Sequence, residues 1–138
     1  MANPKVIVKR LTQHIPPLAA PITNLGRILA PNGEVAQIAN GAQIQFLATI
    51  EFAFAEQVRA NHYHERRNES LYVIRGSLRG VFIDIDTNER SEFELVRGDL
   101  VEIAPRCAHA FVSHEPSELI EFADLAYDPM DLVKYSVL

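Results

Sequence analysis

Between Gln43 and Phe54 the side chains alternate: Ile44, Phe46, Ala48, Ile50, Phe52 and Phe54 fall on one face, while Gln43, Gln45, Thr49 and Glu51 polarise most of the other. A period of two belongs to a strand with one face on an apolar interior and one toward water. One long half-buried strand is expected here. Turn signals cut the rest of the chain at similarly short spacing. Asn32-Gly33 and Asn40-Gly41 read as hairpin dipeptides, and Gly76-Ser77, Asp86-Thr87-Asn88, Arg97-Gly98-Asp99 and His114-Glu115-Pro116 divide the later strands. No stretch sustains a helical period, and PPLAAP at 16–21 reads as an extended arm. The fold class is therefore all-β, with one-faced hairpins closing into a sandwich or barrel.

At 138 residues the chain is expected to form one domain, large enough to bury roughly 70% of its unfolded surface. Residues 1–40 supply an N-terminal arm and the first strands, and residues 56–113 carry the motifs treated below. Cys107 is the lone cysteine, which excludes an intramolecular disulfide, and the start MANPKVIVKR lacks the apolar core of a signal peptide. A cytoplasmic location is the expectation. The longest apolar run, FLATIEFAF, is interrupted by Glu51 and falls far short of the roughly 20 residues of a membrane span. With a net charge of -5 and thirteen scattered Lys and Arg, no basic stripe exists to track phosphates, so nucleic acid is not an expected partner.

The chemistry concentrates in H-Y-H-ERRN-E-SLYVIR-G, from His62 to Gly76. On a strand His62 and His64 project to the same side, about 7 Å apart along it, and Glu69 arrives on the next strand. Imidazoles plus a carboxylate, with open positions left over, suit catalytic zinc or non-haem iron, manganese, nickel or cobalt. A fourth candidate, His109, begins a strand after the segment GDLVEIAPRCA. Ligation needs neutral imidazoles, so affinity is expected to fall as pH drops through the imidazole pKa, about 6.5 when unperturbed. His14 and His114 have no partner at ligand spacing and read as solvated loop histidines.

These two segments resemble the two motifs of the cupins, G(x5)HxH(x3-4)E(x6)G and G(x5)PxG(x2)H(x3)N. Glu56 stands at the leading Gly of the first; Ala104, Arg106 and Ser113 replace Pro, Gly and Asn of the second. Arg for Gly suggests that this turn does not need a positive φ, or that Pro105 has reset it. The resemblance implies a jelly-roll barrel (double-stranded β-helix) holding one divalent metal ion on His62, His64, Glu69 and His109. The run VRANHYH is further similar to the zinc-binding cupin half of a bifunctional capsular-polysaccharide enzyme that epimerises a keto sugar, with Ala60 in place of Gly. Metal-free keto-sugar isomerases of related sequence carry Gln where this chain has Glu69, which places the chain with the metal-binding branch.

Arg59 is a candidate for an anionic substrate group at the barrel mouth, and Phe111, in phase with His109, a candidate pocket wall. Cys107 reads as a small buried turn residue, and Glu65, Arg66 and Arg67 as a solvated loop. The resemblance implies a metal-dependent isomerase or epimerase acting on a small carbonyl-bearing substrate such as a keto sugar or sugar nucleotide. A cupin dioxygenase using iron or nickel and a non-catalytic small-molecule binder remain alternatives. No residue offers itself as general base. Two apolar terminal segments, VIVKRL and LVKYSVL, are expected to cover sheet edges in a second copy, giving a homodimer.

Overall fold

The computed structural model describes residues 3–138, and among them the alternating segments form thirteen strands and a single 3-10 turn, Pro129–Asp131. Strands β1 (Val6–Arg10), β5 (Phe46–Phe52), β7 (Glu69–Arg75), β10 (Asp99–Ile103) and β12 (Ser117–Ala123) make one five-stranded sheet in the order β1-β10-β7-β12-β5. Strands β6 (Val58–His64), β8 (Ser77–Asp84), β9 (Arg90–Val96), β11 (Cys107–Ser113) and β13 (Leu132–Lys134) make the other, ordered β13-β6-β11-β8-β9. From β5 to β13 the chain changes sheet at every connection except the β8–β9 hairpin, which is the jelly-roll path. No helix among the described residues is long and apolar enough to cross a membrane.

The main core lies between these sheets and includes Phe52, Val73, Leu78, Phe82, Leu95, Val101 and Leu119, each at most 1% exposed. Burying a side chain of this kind is worth about 1.5–3 kcal/mol. In β5 the predicted face holds: Phe46, Ala48, Ile50 and Phe52 are inward, with Leu47, Thr49 and Glu51 exposed. The strand is shorter than expected, and Ile44 (44% exposed) and Phe54 (62%) fall beyond its ends.

A third layer was not expected. Strands β2 (Gln13–His14), β3 (Gly26–Ala30) and β4 (Gly33–Gln37) form a three-stranded sheet, whose side covers Leu11, Tyr72, Leu100 and Phe122 with Ala36, Ile38 and Leu25. This is why β7, β10 and β12 are apolar on both faces. Asn32-Gly33 marks a real turn, displaced by one residue, since Gly33 already pairs with Ala30. Asn40-Gly41 does not make a hairpin; it bridges two sheets.

Both terminal segments are paired within the chain. β1 lies antiparallel on β10, Val6 against Ile103 to Arg10 against Asp99, and β13 lies on β6, Leu132 against His64 to Lys134 against His62. Exchange of a terminal strand with a second copy is therefore not how these segments are satisfied. Val6 and Leu11 are buried and Asn3 Nδ2 donates to Cys107 Sγ at 3.5 Å, so the N-terminal segment is part of the barrel.

Arg106 corrects the reading of its turn. Its φ is 61°, so the left-handed conformation is kept without glycine, at a cost of roughly 1–2 kcal/mol. The guanidinium is anchored by Asp86 at 2.7 Å and Glu65 at 2.9 Å. Glu56, at the other replaced glycine, has φ 62°.

Candidate metal centre

Three neighbouring elements bring the candidate ligands together. His62 and His64 share the inner face of β6, and Glu69 begins β7. On β11, His109 is the register partner of His62. One ligand atom from each of His62, His64 and Glu69 lies within 4.8 Å of the others. His64 Nε2 is 2.5 Å from Glu69 Oε1, and His109 Nε2 is 3.4 Å from Oε2. The His62 ring centroid is 5.1 Å from that of His64 and 4.9 Å from that of His109. His109 Nδ1 faces the Cys107 carbonyl oxygen at 2.9 Å, so that nitrogen carries a proton, and in the neutral imidazole it is Nε2 that holds the lone pair.

The charge state is set by burial against proximity. Burial pulls the His62 pKa down to about 4, and His109 adds to this. At His109 burial also acts downward, but the bond to Glu69 and its charge outweigh it, and the net shift is upward. Burial would raise Glu69, yet His109 and His64 hold it well below the usual carboxylate range. Both Glu69 oxygens are nevertheless buried without a hydrogen bond of proper geometry. The Arg67 guanidinium, with Nε 3.7 Å from Glu69 Oε1, offsets part of this charge without a hydrogen bond. An ionised, buried carboxylate left so beside three imidazoles fits a divalent cation, and the donor set is that of zinc or a first-row transition metal.

Beside these groups lies a cavity of about 200 Å³, lined by His62, Glu69 and His109 and walled by Phe52, Leu71 and Phe111 among others. Phe111 is in the wall as expected, 3% exposed and 5.9 Å from the His109 ring. Arg59 is also in the lining, for a reason that strict alternation misses. Three positions from His62, it should face outward, but β6 carries a bulge: His109 pairs with His62 and Ala110 with Ala60, leaving Asn61 over. Ala60 and Asn61 have φ of 77° and 57°, and the extra residue returns Arg59 to the inner side. Its Nε donates to the Glu51 carbonyl at 3.0 Å, with the guanidinium 5.6 Å from the Phe52 ring centroid.

The family model described as Cupin matches residues 34–128. The chain is a cupin. No curated protein matches it. Among solved structures it is similar to a histidine-to-asparagine mutant of the 3,4-ketoisomerase QdtA from Thermoanaerobacterium thermosaccharolyticum in complex with TDP-4-keto-6-deoxyglucose, with TM-score 0.77, 16% identity, and 96% of this chain and 89% of that chain covered. The dTDP-4-dehydrorhamnose 3,5-epimerase from Sulfolobus tokodaii gives TM-score 0.72 and 18% identity over 80% of this chain and 73% of that one. CapF with the inhibitor 3-isopropenyl-tropolone gives 0.60 and 18%, over 66% of this chain and 28% of that one. At these identities the likeness is one of fold.

Three residues near the centre of this cupin were missed. Arg67, assigned to a solvated loop, is 3% exposed: its guanidinium lies 4.1 Å from the Phe46 ring centroid, and its Nη2 donates to Glu121 Oε1 at 3.2 Å. Glu65 and Arg66 are exposed as expected. Glu121 lines the cavity, and burial, then the charge of Glu69, raise its pKa. Its signal was legible: in LIEFA a glutamate shares the phase of inward Leu119. Asp131, 4% exposed, puts Oδ2 3.3 Å from His64 Nδ1 and accepts from the Arg66 amide at 2.8 Å. Nothing local in DPMDLVKY marked it, because only the fold brings the tail to His64.

Cys107 is 1% exposed, and burial pushes its thiol up to about 11, so it is an inert packing residue. His114 is exposed and pairs with Glu94 at 2.7 Å. His14 is half-buried in β2, against Gly26, and is not a loop residue. For Asp131→Asn, which removes the charge facing His64, metal affinity is expected to fall about tenfold, the low end for residues that orient a metal ligand. Competition against a chromogenic chelator measures this; an unchanged affinity would leave Asp131 as a turn-capping residue only.

Proposed function

We propose that His62, His64, Glu69 and His109 hold one divalent ion at the wall of the cavity, and that this cupin moves a proton beside the carbonyl of a keto sugar carried on a nucleotide. The outcome is isomerisation or epimerisation. The observation that carries the reading is the buried, ionised Glu69 carboxylate, unsatisfied among imidazoles and open to the cavity. A divalent ion supplies a Lewis acid that draws negative charge onto a carbonyl oxygen. The structural relatives support this substrate class: the histidine-to-asparagine mutant of the 3,4-ketoisomerase QdtA is seen with TDP-4-keto-6-deoxyglucose.

The protein's own residues divide the remaining work. At about 200 Å³ the cavity has room for a sugar ring and lies below the roughly 300–1,000 Å³ of whole-ligand pockets, so the nucleotide is placed outside the mouth. Arg59 at that mouth suits a diphosphate. Phe52, Leu71, Phe111 and Leu119 exclude water from the ring and strengthen every charge interaction around it.

In heavy water, TDP-4-keto-6-deoxyglucose is expected to take up deuterium beside its carbonyl without oxygen consumption, and chelator is expected to stop the exchange until a divalent ion is restored. Unchanged exchange in metal-free protein would remove the metal from the mechanism. The mostly apolar walls favour a second reading, an oxygen-dependent reaction of a small chelating substrate with iron or nickel. Oxygen uptake with an enediol, and no exchange with the keto sugar, would establish it. Ligand binding with neither activity would indicate a non-catalytic binder.

Metal uptake is expected to release a proton from His109. Its pKa is raised in the metal-free protein, so below that value a proton occupies the nitrogen an ion needs, and affinity falls as pH drops. His62, at about 4, is already neutral at neutral pH and releases nothing. Calorimetry in buffers of different ionisation enthalpy counts the protons; none released would contradict His109 as a ligand.

A second copy of the chain remains the proposed partner. It would sit on the outer edge of β1, where Ile7 is 52% exposed and an unpaired strand edge faces solvent. Light scattering is expected to give about twice 15.5 kDa; a single species at the chain mass would rule the dimer out.

A further inference from the structure

We infer that Glu121 is the residue that takes and returns the proton in the reaction proposed above, and that the reaction is therefore an isomerisation; this rests on that reading. A histidine whose lone pair is given to an ion cannot also accept a proton, so the work falls to another group in the cavity. Of the lining residues outside the candidate ligands, Arg59 stays protonated, and the rest are aliphatic or phenyl side chains apart from Glu121. Glu121 is the one carboxyl left.

Its placement suits the role. On β12, fully buried Leu119 points into the barrel, and Glu121 follows two residues later on the same side, while Phe122 packs under the outer layer. Glu121 is not one of the four candidate ligands, and its carboxyl is turned to Arg67 rather than paired with any of the three imidazoles. Arg67 Nη2 donates to its Oε1 at 3.2 Å, and that arginine is itself fixed, 3% exposed and stacked on Phe46. Among the described residues no hydrogen bond reaches Oε2. One oxygen anchors the carboxyl and the other is available to substrate.

The proton accounting closes on this single group. Glu121, as carboxylate, removes the hydrogen of the hydroxyl-bearing carbon as a proton; the C–H pair becomes the C=C bond of an enediolate, and the carbonyl π pair moves onto its oxygen. The hydroxyl proton passes to that oxygen. The oxygen left on the first carbon then re-forms C=O, and the C=C pair takes the proton back from Glu121 on the second carbon. No electrons enter or leave, and the carboxylate is restored. Inversion at one carbon would need a donor on the opposite face of the sugar, and the remaining walls, Ile50, Phe52, Leu71, Phe111 and Leu119, provide none.

The test follows deuterium uptake by TDP-4-keto-6-deoxyglucose with metal-loaded protein, alongside metal content and binding of the sugar nucleotide. Glu121→Gln is expected to keep the ion and the ligand and to slow exchange about 100-fold or more, the lower bound for loss of a positioned general base. Glu121→Asp keeps the acid but draws it back by one methylene, and is expected to be slower than the unaltered chain and faster than Gln. Should Glu121→Gln fail to melt cooperatively, Glu121→Asp decides alone by slowed exchange with full metal content. Exchange at the unaltered rate in either folded variant overturns the inference and leaves the proposed function standing. Loss of the ion in Glu121→Gln overturns it too, by making Glu121 a ligand. If the unaltered protein exchanges nothing, the proposed function and the inference fall together.

Discussion

Chains carrying His62→Ala or His109→Ala are expected to bind a divalent ion about 100-fold more weakly than the unaltered protein, because four-ligand zinc sites gain about 10–16 kcal/mol and each ligand therefore carries about 3. Removing His109 also takes away the imidazole 3.4 Å from Glu69 Oε2, leaving a buried carboxylate less compensated. Glu69→Gln should weaken binding less than loss of a histidine, since an amide oxygen still coordinates but brings no charge. His14 lies in the outer three-stranded layer, and His14→Ala is expected to retain close to one ion per chain. Elemental analysis after purification without added metal checks all of these. Equal metal in the unaltered protein, His62→Ala, His109→Ala and His14→Ala would sink the four-ligand assignment.

Phe82→Ala is expected to be the most damaging core substitution, at about 3–5 kcal/mol. The ring is fully buried and meets Phe93 at 5.9 Å and Phe111 at 5.8 Å between centroids, both edge-on. Gly80 is kept free of a side chain by that ring, 2.8 Å from where a Cβ would stand. Its loss opens a hole that β8 cannot collapse into without moving Phe111, which walls the site beside His109. Against a total stability of about 5–15 kcal/mol, this is a large share, and a melting temperature lower by roughly 10–20 °C follows from the usual entropy of unfolding. Leu47→Ser, at a position 69% exposed, is expected to change stability by about 0.5 kcal/mol or less. A Phe82→Ala chain that melts with the unaltered protein would show that the two sheets do not depend on this contact.

Local pattern alone determined the all-β class, the inner face of β5 and most of the turns, and motif spacing marked His62, His64, Glu69 and His109 as candidate ligands with Phe111 beside them. These were legible because strand alternation and motif spacing are properties of residues a few positions apart, and a strand fixes which way a side chain points whatever lies opposite. What only the tertiary structure decided involves groups far apart in the chain or departures from strict alternation. Arg59 faces the cavity because a bulge at Asn61 breaks the period. Arg67 is buried because Phe46 and Glu121 come from other strands to receive it. Asp131 reaches His64 because β13 folds back along β6; the same fold-back occupies the C-terminal segment expected to serve a second copy, and pairing with β10 occupies the N-terminal one. The second apolar face of β7, β10 and β12 has its reason in the layer formed by residues 13–37, since a two-sided apolar strand states that it is covered without saying by what. Charge and burial at Glu69 belong to the same class: a carboxylate in sequence is an ordinary ligand, and its unsatisfied, ionised state exists only once three imidazoles from two other strands surround it.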